Sequence, residues 1–154
     1  MHQKKAQIAI LLVCSCWFSI NVAAPSTPPR LVLVCSVKSP LTSLSHTEVR
    51  KLFLGVPVEK HGVQLIPLRN TSDTSLTEVF LQKVIFMSKR KYEHQLVTRV
   101  FRYGGVRPKV YKKLAEIVDE LQQSPEAVTY MWSNQLVQAD GIKSIGVLWE
   151  SSEQ

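Results

Sequence analysis

Three cysteines are too few and too badly placed for a disulfide framework. Cys14 and Cys16 lie in an apolar N-terminal stretch, which leaves Cys35 alone in the rest of the chain with no partner for an intramolecular bridge. Long hydrophobic runs are scarce too. The one from Ala6 to Ile20 falls short of the roughly 20 residues that a membrane span needs, and no later window approaches it. The remainder is therefore expected to be soluble, with no stable membrane insertion. Catalytic constellations are also lacking. His46, His61 and His94 have no metal-ligand spacing, and the chain contains neither a G-x-S-x-G elbow nor a P-loop lysine. The sequence predicts no enzyme, no metal and no cofactor; each histidine reads as a surface or core residue.

What is present begins with a secretory-signal layout: Lys4 and Lys5, the apolar run, then the small residues Ala23 and Ala24. Cys16, preceded by Val13, Cys14 and Ser15, faintly resembles a lipoprotein acylation site, but Trp17, Phe18 and Ile20 carry the apolar run past it. We divide the chain into a signal peptide (1–24), a proline-rich leader (25–30) and one domain (31–150), located in the periplasm or secreted. Cleavage after Ala24 leaves 130 residues, the size of a single domain with one core.

That cleavage leaves 17 bases against 12 acids, a net charge of +5. Nine of the bases (Lys89, Arg90, Lys91, Arg99, Arg102, Arg107, Lys109, Lys112 and Lys113) fall between positions 89 and 113. Such a patch suits phosphate groups or an anionic membrane surface. The plainer reading, helix faces solvated by charge, is favoured, and an exported protein is not expected to meet nucleic acid.

Leu31–Val37 (LVLVCSV) is a nearly unbroken apolar, β-prone run, as in a parallel-sheet strand covered on both faces. Ser45 to Glu48 is a capping box opening a short helix that stops at Gly55. Val63–Leu68 is the next strand, with Pro67 marking an end or an edge. A second capping box, Ser75 to Glu78, is expected to open a helix with Leu76, Val79, Phe80, Val84 and Met87 on one stripe. A third helix runs from about Ser88 to Tyr103 and ends at Gly104-Gly105; a fourth begins at Pro108 and ends before Ser124-Pro125. Ala127–Trp132 and Ile142–Trp149 close the chain as strands. The order β-α-β-α-α-α-β-β predicts an α/β layer fold: a mostly parallel four-stranded sheet flanked by about four helices.

In such sheets ligands bind beyond the carboxyl ends of strands. The segment from Leu68 to Phe80 leaves a strand and enters a helix N-terminus, offering Arg69, Thr71, Ser72, Thr74 and Ser75 to an anion. The competing reading is local: turns collect Ser, Thr, Asn and Asp for their own caps, Ser75 is needed as one, and Asp73 repels an anion. Asn70-Thr71-Ser72 is also a glycosylation sequon.

Four motifs in order, SLSHTEVRKLFLG (43–55), SLTEVFLQKV (75–84), FRYGGVRP (101–108) and SPEAVTYM (124–131), resemble the phosphate-transporter type of periplasmic substrate-binding proteins across nearly all of the chain after Pro25. The resemblance implies one lobe of the type II periplasmic-binding-protein fold, phosphate or a related oxyanion as ligand, and an ABC transporter or a companion lobe as partner. It places the family's anion-holding hydroxyl element on Asp73, Thr74 and Ser75, with Arg69 near a family arginine. Asp73, Glu126 and Thr129 stand where that family has glycines, and the chain has room for only one lobe. The alternative is an accessory or protein-interaction module that keeps the lobe without its ligand and uses the Lys89–Lys113 patch as its contact surface.

Overall fold

A computed structural model describes residues 29–105 and 107–151. The signal peptide and residues 25–28 of the leader lie outside the described residues. The elements are β1 (Arg30–Ser36), α1 (His46–Phe53), β2 (Glu59–Lys60), β3 (Val63–Gln64), β4 (Ile66–Asn70), α2 (Thr74–Phe80) with a π-helical continuation over Leu81–Ile85, α3 (Lys89–Tyr103), β5 (Lys109–Tyr111), α4 (Leu114–Gln123), β6 (Ala127–Trp132), α5 (Ser133–Leu136) and β7 (Ile142–Glu150).

The main sheet has the order β5-β4-β6-β1-β7, and β2 and β3 form a small separate hairpin. β4 is parallel to β5 and to β6, whereas β1 is antiparallel to both β6 and β7. Four strands thus share a direction and β1 opposes them. This is the α/β lobe expected, with one strand more than the four predicted.

The apolar run of β1 is explained by two cores. Leu31, Leu33 and Cys35 face a layer built from α1, α2, the π-helical turn and α3, while Val32 and Val34 face α4 together with Leu68, Ile117, Leu121 and Met131. A strand buried on both faces has no polar side to display. On the larger side Phe53, Phe80 and Tyr130 make an aromatic cluster: Phe80 stacks on Tyr130 with centroids 3.6 Å apart, and Phe53 meets Phe80 edge-on at 5.0 Å. Cys35 is fully buried in this core, which pushes its thiol pKa up.

The first capping box forms as read: Ser45 N donates to Glu48 Oε2 (2.7 Å) and Glu48 N donates to Ser45 Oγ (3.3 Å). The second does not. Asp73, in extended backbone, is the N-cap of α2, its carboxylate accepting from Leu76 N at 3.0 Å, so the cap lies two residues before the predicted cap Ser75. The fourth helix, by contrast, starts later than expected, at Leu114 rather than Pro108. Lys109–Tyr111 pair with Leu68–Asn70 of β4 instead, as the fifth strand. A proline just before an edge strand loses no ladder bond, so Pro108 is compatible with either role and tertiary pairing decides.

Candidate functional site

β4 delivers its carboxyl end, Leu68-Arg69-Asn70, into the loop before α2, and β5 runs beside it. Thr71 closes this junction twice: its backbone N–H and its hydroxyl both donate to Tyr111 O, each at 2.9 Å. Asn70 is fully buried; its Nδ2 donates to Tyr130 O (3.0 Å) and its Oδ1 accepts from both the backbone N–H (3.0 Å) and the hydroxyl (2.7 Å) of Ser72. The sequon asparagine is therefore a structural pin whose amide is unreachable in the folded domain.

Arg69 is only 7% exposed. Its guanidinium lies 4.9 Å from the centroid of the Tyr92 ring and pairs with Glu93, whose other carboxylate oxygen pairs with Arg107. Tyr92 is itself buried and donates its hydroxyl to Phe53 O at 2.7 Å, and burial pushes its pKa up to about 12. One carboxylate therefore bridges two guanidinium groups, one deep and one at the surface. They face a cavity of about 440 Å³ that Thr71, Lys89 and Lys112 also line, four bases against the single acid Glu93. An oxygen-rich anion entering here meets charge-assisted donors from β4, α3 and the residues flanking β5.

The five residues singled out from the sequence do not converge. Arg69 and Thr71 line this cavity; the Ser72 hydroxyl is committed to Asn70; Thr74 and Ser75 are exposed on the first turn of α2. Ser75 and Asp73 line a different cleft of about 800 Å³ with Arg30, Trp132, Asn134 and Trp149, the two indoles meeting edge-on at 6.4 Å. With Asp73 as cap, Ser75 is released from the capping role expected of it. Thr129, at a position where the resembling family has glycine, is buried and donates to Leu68 O at 2.7 Å. Lys89, Glu93, Arg107 and Lys112 were missed as site residues. The density of bases between 89 and 113 was the available signal, but only the return of β5 against β4 brings Arg107 and Lys112 to Arg69.

A second charged network ties β5 to α4. Glu120 accepts from the Tyr111 hydroxyl (2.6 Å) and from Lys109 Nζ (3.2 Å). The tyrosine hydroxyl first, and the lysine after it, hold the Glu120 pKa below the ordinary carboxylate value. Burial, then the neighbouring carboxylate, raises that of Tyr111.

No protein-family profile and no curated protein matches this sequence. Solved structures do match its fold. PstS from Borrelia burgdorferi superposes with a TM-score of 0.56 at 14% identity over 78% of this chain and 47% of that one. An ABC-type phosphate transport receptor from Vibrio cholerae gives 0.51 at 13% identity over 77% and 46%. The chain spans about half the length of these receptors, and at such identity what it shares with them is a fold, that of a periplasmic-binding-protein-like lobe.

Proposed function

We propose that this chain is an exported, non-enzymatic solute-binding lobe that holds phosphate or a related oxyanion beside Arg69, in connection with ABC-type phosphate transport. The observation that carries this reading is the buried Arg69 guanidinium, oriented by Tyr92 and Glu93 at the wall of a cavity with three further bases. One of the two proteins of similar fold, described as an ABC-type phosphate transport receptor, supports the choice of anion. The signal-peptide layout supports export.

In this reading Arg69 and Arg107 grip the anion bidentately, and Lys89 and Lys112 supply long-range attraction. Thr74 and Ser75, exposed on the first turn of α2, are not among the residues lining this cavity. Glu93 is the occupant that must give way, so the measured affinity is that of the ligand less that of the internal carboxylate.

The test is thermal unfolding of the chain titrated with phosphate, sulfate and chloride at constant ionic strength. A ligand at a hundred times its Kd stabilises the native state by about 2.7 kcal/mol, so a saturating, phosphate-selective rise in Tm is expected. Arg107→Gln, at a half-exposed position, reduces that rise while leaving the unliganded Tm nearly unchanged. The Thr74→Ala, Ser75→Ala double variant is expected to leave the affinity unchanged, and a loss of affinity would extend the site to α2.

A second reading is the accessory module that has lost its ligand. It is favoured by the carboxylate already standing where the anion would bind, Glu93 between the arginines. It predicts no selective shift up to millimolar phosphate.

A further inference from the structure

Between Lys89 and Lys113 stand nine bases and a single acid, Glu93. Four of those bases have structural work. Arg107 pairs with Glu93, Lys109 and Lys113 pair with Glu120 and Glu116 of α4, and Arg99 donates through Nε to Gly55 O at 2.7 Å. Arg90, Lys91 and Arg102 differ: all three are exposed along α3, and none has an ion pair among the described residues.

Apolar groups stand among these charges. α3 turns Tyr92 and Leu96 into the core. With about 3.6 residues per turn, the opposite stripe reads Arg90, His94, Val97, Phe101, flanked by Lys91 and Arg102. Phe101 is 86% exposed and Val97 37%. Neither side chain lines the Arg69 cavity or the cleft between the tryptophans. Burying a ring like that of Phe101 gains free energy, and cations beside it lose little if their own partners are anionic. A concave partner surface is not required. An interface of lipid headgroups supplies both environments, an apolar boundary for the ring and phosphates for the bases.

We propose that the outer face of α3 rests on an anionic lipid surface, with Phe101 as apolar anchor and Arg90, Lys91 and Arg102 meeting lipid phosphates. The contact is peripheral and salt-sensitive, and it leaves the Arg69 cavity out of the contact set. The inference does not depend on the oxyanion reading and uses none of its residues.

The experiment floats the full chain on vesicles of phosphatidylcholine alone and of phosphatidylcholine with phosphatidylglycerol. The apolar N-terminal stretch is common to every variant, so differences between variants report on α3. Each base near such a surface contributes about fivefold in association. The Arg90→Glu, Lys91→Glu, Arg102→Glu variant is therefore expected to lose at least tenfold of its association with the phosphatidylglycerol vesicles. Phe101→Ser is expected to lose several-fold. Wild-type association falls as salt is raised. Both variants change only exposed side chains and should keep the wild-type Tm and any phosphate response, which separates this inference from the oxyanion one. Equal association of wild type and triple variant overturns the proposal. So does indifference of the wild type to phosphatidylglycerol, or a wild type that binds an immobilised acidic polypeptide through these bases and ignores the vesicles.

Discussion

The two halves of the main sheet are built on different physics. Around β1, the ladders are long and antiparallel, seven residues registered with β7 and five with β6, and the side chains on both faces are apolar. Around β5, three residues pair in parallel with β4, and the edge is fastened by Thr71 on Tyr111 O, by Glu93 between Arg69 and Arg107, and by Glu120 on Tyr111 and Lys109. The first half holds the fold by burial, the second by charge and hydrogen bonds near solvent. The candidate site lies in the second, where charges remain available to a ligand and local opening costs least.

The sharpest way to break this contrast is with apolar truncations on each side. Leu33→Ala in β1 is expected to cost about 2–5 kcal/mol, read from urea unfolding, because it opens a cavity in a closed core. Val110→Ala on β5, where the side chain is half exposed, should stay within about 0.5 kcal/mol. Equal costs would mean that β5 bears as much of the fold as β1. Smaller in size, Tyr111→Phe removes one hydrogen bond to a carboxylate and is expected to cost about 1 kcal/mol. Its increase in amide exchange should be confined to β5 and the first turn of α4.

The smallest effect is on pH. Glu120 has a folded pKa below its ordinary value of 4.5, so its stabilising contribution is complete above that value and is lost as the pH falls through and below it. The group is partly exposed, so the loss should remain under about 1 kcal/mol. Amide exchange in β5 should accelerate over that window while exchange in β1 holds, and Glu120→Gln should abolish the acceleration. Parallel acceleration in both strands would join the two halves into one cooperative unit.

The same division explains what could be read in the sequence. The burial of β1 on both faces was visible in Leu31–Val37, and α3 was legible to within a residue because Ser88 caps it and Gly104 follows it with a positive φ of 69°. These signals are local. The start of α2 is ambiguous in the sequence because Asp73 and Ser75 are both good caps two residues apart. What selects Asp73 is non-local: Asn70 reaches Tyr130 O and holds Ser72, which leaves Asp73 extended. β5 is hidden in the sequence because three residues, Lys109 to Tyr111, carry too little periodicity to announce a strand whose partner lies some forty residues earlier. The site followed the same rule. Arg69 and Thr71 were found from their place between a strand and a helix, whereas Glu93 and Arg107 join them only through the returning chain.

The position of β1 also sets an order of events. The first strand of the domain is hydrogen-bonded between β6 and β7, strands that end more than ninety residues further along, and Arg30 meets Glu150 across a separation of 120 residues. During synthesis the most apolar segment of the domain is made first and finds its neighbours last. Its pairing is of the high-contact-order kind that folds slowly, and until Glu150 is available β1 lacks one of its two neighbours. The domain therefore stays open for most of the time it takes to make, and the step that closes it is the arrival of β7.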